Sequence, residues 1–173
     1  MKRALVWTGA SVLITVLFHL LTVAVYPYYV MMRLKRSNRA AINSVFHAPR
    51  VTARSRDVVR PSPDLLYSAC GFDLSEGPLV VAAPVPQGTY WSVSMFAANT
   101  DNFFVVNDRQ LGADQVKIVV VSQGGAPGAP EGYRIVESPT TRGVVLFRML
   151  ITDEETVDSL IKVQKQASCK PLG

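Results

Sequence analysis

The chain has 173 residues, 49% of them apolar, and a formal net charge of +5. That length fits one domain, and two cysteines without C-x-x-C spacing exclude a zinc or dithiol redox motif. The charge is unevenly placed: residues 33–60 hold eight Lys or Arg against one acid, whereas residues 61–173 hold eight against twelve. The folded part therefore lacks a basic patch with interleaved aromatics, which excludes nucleic acid as a partner.

Residues 4–32 contain no Asp, Glu, Lys or Arg. Ala4 to Val25 supplies the ~20 apolar residues that a bilayer-spanning helix needs, and Tyr26, Tyr28 and Tyr29 then bring rings suited to the headgroup level. Pro27 is where the helix is expected to kink or stop. Residues 1–33 thus read as an uncleaved transmembrane anchor. A cleaved signal has a shorter apolar region, roughly 7–15 residues, and an Ala-x-Ala-like site, which Thr22-Val23-Ala24 matches poorly. His19 has no second titratable group near it in the span and reads as a tolerated or helix-contact residue.

Residues 34–60 form a basic juxtamembrane linker. Arg33, Lys35, Arg36 and Arg39 suit anionic lipid headgroups, or simply a solvated stalk. Ala41, Val45 and Ala48 have the spacing of a helical turn. Two orientation signals disagree: the cation-rich downstream flank, against Lys2 and Arg3 upstream, places the carboxyl-terminal domain in the cytoplasm, while a short basic amino terminus before an apolar stretch also begins an exported signal-anchor.

Residues 61–173 carry a strand pattern. Pro78–Ala83, Tyr90–Met95, Phe103–Val106, Val116–Val121, Tyr133–Val136 and Val144–Met149 are short runs rich in β-branched and aromatic residues. In Tyr90–Met95, Trp91, Val93 and Met95 fall on one face and Ser92 and Ser94 on the other. Gly, Pro and Asn turns separate the runs, and Gly124–Gly132 reads as a hairpin connection. Thr152-Asp153-Glu154-Glu155 has the form of a capping box with Thr152 as cap, predicting a helix from about Asp153 to Gln166. The fold class expected is mainly β (α+β): an antiparallel sandwich or small barrel with a C-terminal helix, preceded by one transmembrane helix. Cys70 and Cys169 either pair in an oxidising compartment or stay reduced as small buried apolar residues.

Two blocks carry a resemblance. Asp64-Leu65-Leu66-Tyr67-Ser68, Phe72-Asp73-Leu74, Gly77-Pro78 and Tyr90-Trp91-Ser92-Val93 form the first; Glu137-Ser138-Pro139-Thr140-Thr141-Arg142, Leu146-Phe147-Arg148 and the acidic helix start at Asp153 form the second. Over residues 61–166 the chain resembles the bacterial family called domain of unknown function 1254 (DUF1254). The resemblance implies a β-rich fold, export toward the periplasm, a companion DUF1214-type protein and no established activity. Where the family usually reads Asn-Arg-Asp-Thr, this chain has Ser62-Pro63-Asp64-Leu65.

Within these blocks Asp64, Asp73 and Tyr67 are the weak catalytic candidates, a carboxylate pair with a phenolic donor. The competing reading makes Asp64, Ser68 and Asp73 turn-forming acceptors of backbone N–H groups and Tyr67 a packed ring. Arg142 and Arg148 are candidates for binding a carboxylate-bearing ligand through their planar forks, or partners for an internal acid such as Asp73. His47 stands alone in the linker without a nucleophile. No metal-ligand spacing and no cofactor motif is present. The functional expectation is a single-pass envelope protein presenting a binding or accessory module. The alternatives are an envelope hydrolase or lyase using Asp64, Tyr67 and Asp73, and a cytoplasm-facing adaptor.

Overall fold

A computed structural model describes residues 2–36, 42–52, 54–56, 60–125, 128 and 130–172, excluding the side chains of residues 34–36. Helix α1 (Lys2–Arg36) has 35 residues, about 52 Å at 1.5 Å per residue. It is long and apolar enough to cross a membrane, and none of its apolar window is buried against the rest of the chain. Thr15 and Thr22 each donate to the carbonyl four residues back, Ser11 and Phe18, at 2.8 Å, so their hydroxyls need no water. Pro27 lies inside the helix, which does not stop there.

The linker contributes more than a stalk. Residues 42–48 are not helical: Ile42 bridges Gly71, the chain turns at Asn43, and β1 (Phe46–His47) pairs antiparallel with β2 (Leu65–Asp73). Ala41, the first residue of the expected helical turn, lies outside the described residues, as does Arg39. The remaining strands are β3 (Leu79–Pro84), β4 (Trp91–Ala97), β5 (Asn102–Asn107), β6 (Gln115–Ser122), β7 (Arg134–Ser138), β8 (Arg142–Leu150) and β9 (Ser168–Pro171). Two short helices complete the fold, α2 (Asp108–Leu111) and α3 (Val157–Gln164), the latter entered through a 3-10 turn at Glu154–Thr156.

The strands form a five-stranded sheet in the order β1-β2-β8-β4-β5 and a four-stranded sheet in the order β7-β6-β3-β9. Their inner faces meet in one core that includes Phe72, Leu79, Val81, Trp91, Val93, Ile118 and Phe147. This is the expected β-rich sandwich, with one difference: β6 and β7 are parallel. A hairpin cannot join parallel neighbours, so the Gly124–Gly132 segment belongs to a crossover. The helix start also differs from expectation, since the cap is Asp153, whose carboxylate accepts from Glu155 N at 3.0 Å.

Cys70 on β2 is bonded to Cys169 on β9, so the bridge crosses the core from one sheet to the other. α3 leans on the same region: Leu160 is buried, and Gln164 Nε2 donates to the Tyr67 carbonyl at 2.8 Å. Gly143 occupies a tight point on β8, where a Cβ would overlap the Phe96 carbonyl oxygen and the Phe72 ring.

Two outcomes are expected. The cross-link closes a 99-residue separation, so Cys169→Ala should cost about 2–5 kcal/mol, read as a lower urea midpoint with a steeper slope, because the unfolded chain is no longer held compact. Gly143→Ala should cost at least about 3 kcal/mol, because a backbone oxygen cannot move aside as a side chain can; a midpoint within error of wild type would refute this packing.

Candidate functional site

Asp64 immediately precedes β2 and Asp73 ends it. At about 3.3 Å per residue they stand roughly 30 Å apart, so they do not form a carboxylate pair. Asp64 is exposed, and its carbonyl accepts from Ile151 N at 2.8 Å. Asp73 is engaged at the other end: Arg142 Nε donates to its Oδ2 at 2.6 Å and Ser75 N to its Oδ1 at 3.1 Å. Desolvation pushes the Asp73 carboxyl up, but the Ser75 hydrogen bonds and Arg142 outweigh it and hold the group below its usual range.

Tyr67 and Arg148 face each other across the β2–β8 pairing, on the side of the five-stranded sheet opposite the core. Tyr67 Oη accepts from Ser62 N at 3.0 Å, which leaves its own proton free to donate. Arg148 pairs in register with Ser92 and donates through Nη2 to Ser94 Oγ at 3.1 Å. Ser92 and Ser94 are on the outer face as their alternation predicts, yet both are buried, because the side chains of neighbouring strands lie over them.

His47 is not alone. Pairing of β1 with β2 puts its Nδ1 3.0 Å from Ser68 Oγ. Burial first, and Lys165 second, lower the His47 pKa from 6.5, so the neutral ring can accept the Ser68 hydroxyl proton. A base beside a serine is the geometry of an activated nucleophile, but Ser68 is only 2% exposed and faces the core, out of reach of a substrate. The pair pins the incoming chain to the sheet.

One opening lies at the Asp64 end of the sandwich. It is a cleft of about 650 Å³ bounded by the turns at 85–90 and 108–114 and by Leu150 and Thr152, within the usual range for small-ligand sites. Gln87, Tyr90, Asp108, Arg109, Asp114 and Thr152 give it polar walls. Gln87 Nε2 donates to Asp114 Oδ1 at 2.9 Å, and Asp108 Oδ1 accepts from Trp91 N at 3.3 Å. Asn107 caps α2 and is followed by a left-handed Gly112, which turns the chain back to shape the wall. Sequence reasoning did not single out these residues, since three separated turns supply them. The opposite end carries the anchor: Tyr28, Met31 and Met32 line a smaller hollow with Ala98, Arg142 and Gly143, and Met31 is buried. Among the described residues no group of three or more His, Cys, Asp or Glu is placed to hold a metal.

The family model described as "Protein of unknown function (DUF1254)" matches residues 42–171. No curated protein matches the chain. Among solved structures, the VPA0106 protein of Vibrio parahaemolyticus is similar, with 15% identity and a TM-score of 0.66 over 87% of this chain and 37% of that one. An uncharacterized protein of Burkholderia cenocepacia is similar with 13% identity and a TM-score of 0.51 over 79% of this chain and 35% of that one. At these identities the likeness concerns the fold, and the chain spans little more than a third of either structure's length.

Two pH effects are expected. The depressed Asp73 pKa means that its contribution is present above the unfolded carboxylate value and lost as pH falls through the folded one; Arg142→Gln should therefore cost under about 1 kcal/mol at pH 7 and nothing measurable at pH 2. The lowered His47 pKa means that the unfolded chain takes up a proton near pH 6.5 while the folded chain resists it, so stability declines as pH falls below 6.5. His47→Gln should flatten that decline in denaturation midpoints measured from pH 7 to 5.

Proposed function

The chain belongs to the DUF1254 family, and from that premise we propose that it is a single-pass membrane-anchored envelope protein whose sandwich works as a binding or accessory module. One observation carries this reading: the end of α1 meets the Asp73–Arg142 end of the sandwich, while the polar cleft opens at the other end. Such a polarity suits a tether that holds a recognition site away from the lipid. The enzymatic alternative gains no support from geometry, because Asp64, Tyr67 and Asp73 share no pocket.

The proposed side of the membrane is the periplasmic one. The disulfide supports it, since thiols in the cytosol are kept reduced; the cations after α1 oppose it under the positive-inside rule. We give the disulfide more weight because a flank of cations also suits anionic headgroups on either leaflet, with Arg33 exposed on the described helix and Lys35, Arg36 and Arg39 beside it in sequence. The greater length of the solved relatives supports a further domain or a companion DUF1214-type chain as the partner of this module.

Reporter fusions at Gly173 together with membrane fractionation test the reading. The full chain should sediment with membranes, resist salt extraction and dissolve in detergent, and a reporter active only outside the cytoplasm should give the signal. A salt-extractable chain, or activity only from the cytoplasmic reporter, would overturn it.

A further inference from the structure

We infer that the polar cleft takes a neutral polyhydroxylated ligand, a sugar or short oligosaccharide, with the Tyr90 ring as a stacking platform and Asp108, Asp114 and Arg109 as partners for its hydroxyls. The inference deepens the reading of the sandwich as a binding module and rests on it. Space is present, about 650 Å³, and the walls are set before any ligand arrives. Val85 N donates to the Asp114 carbonyl at 2.8 Å, Thr89 Oγ1 to the Leu150 carbonyl at 2.6 Å, and Gln87 Nε2 to Asp114 Oδ1 at 2.9 Å. Turns tied to one another in this way lose little freedom when a ligand enters, which favours affinity.

The ligand class follows from what those bonds leave unused. Asp108 Oδ1 accepts from Trp91 N and Asp114 Oδ1 from Gln87 Nε2, while the second oxygen of each carboxylate has no partner among the described residues. Gln87 Oε1 is a further acceptor. Arg109 is exposed and forms no ion pair among the described residues, so its guanidinium brings donors to the same cleft. An anion would meet Arg109 but be repelled by two carboxylates, and an ammonium would meet the carboxylates but leave Arg109 unmatched. A hydroxyl donates and accepts at once, so a row of them satisfies both sets. Tyr90 is 39% exposed and lines the cleft, which gives the apolar C–H face of a sugar ring an aromatic surface, with a phenolic hydroxyl beside it.

The test is saturation-transfer NMR on the full chain in micelles of lauryldimethylamine oxide, whose headgroup is not a sugar. The probes are a panel of neutral hexoses, pentoses, N-acetylhexosamines and their disaccharides, with L-alanine, putrescine and sodium acetate as the zwitterionic, cationic and anionic comparisons. At least one sugar should give saturable transfer, strongest at ring C–H protons and unchanged by added sodium chloride. Tyr90→Ala should weaken it about tenfold, and Asp114→Asn, which keeps an acceptor for Gln87, about fivefold; circular dichroism and the thermal midpoint check that both variants fold. Silence from every sugar, or transfer that neither variant changes, would overturn the inference. Saturable binding of alanine, putrescine or acetate that is lost in the same variants, with none from sugars, would overturn the sugar assignment and leave the binding-module reading standing. Failure of that reading shows separately, as a chain that salt extracts from membranes.

Discussion

The nine-pair antiparallel ladder between β2 and β8 is the constraint on which the rest of the domain depends. It runs from Leu65 opposite Leu150 to Asp73 opposite Arg142, joining segments nearly seventy residues apart. Because side chains alternate across a strand, this single register assigns every neighbour a face. Leu66 with Met149 and Cys70 with Val145 go to the core; Tyr67 with Arg148 goes outward. A slip of one residue would bury Arg148 and Asp73 and remove Cys70 from reach of Cys169. The disulfide then fastens the second sheet to this spine, and β4 extends it with Trp91, Val93 and Met95 in the same core plane.

Much of this was legible in the sequence. Six strand segments announce themselves through β-branched and aromatic runs, and the acidic start of α3 through its carboxylates. The first strand of the spine did not, because Asp64, Ser68 and Asp73 read as turn chemistry. Its polar residues are tolerated because the strand is central: Ser68 meets His47, and Asp73 meets Arg142. β1 and β9 are too short for periodicity to register and form only because a longer strand offers them an edge. The parallel placement of β7 is a tertiary choice that no local pattern encodes.

The site was legible only in part. Arg148 and Tyr67 stood out as polar residues in apolar company, and pairing across strands places them side by side. The separation of Asp64 from Asp73 also follows from their spacing once β2 is recognised as a continuous strand. The cleft was not foreseeable, since its walls come from turns whose residues each look like ordinary chain reversal. Its position becomes meaningful only with the anchor at the opposite pole. The fold thus divides its labour lengthwise: Ala98, Arg142 and Gly143 face the membrane helix, while Gln87, Tyr90 and Asp114 face away from it.

That lengthwise polarity is most directly tested by depth. Nitroxides attached at exposed Glu76 and Gln87, which flank the two ends of β3, can be compared in full-length protein reconstituted into vesicles carrying a headgroup-bound paramagnetic relaxer. The label at 76 should be relaxed strongly and that at 87 little, as expected for sites separated by about 20–30 Å along the strand direction. Equal relaxation at both positions, or stronger relaxation at 87, would contradict a sandwich that stands on its anchor with the cleft turned away from the lipid.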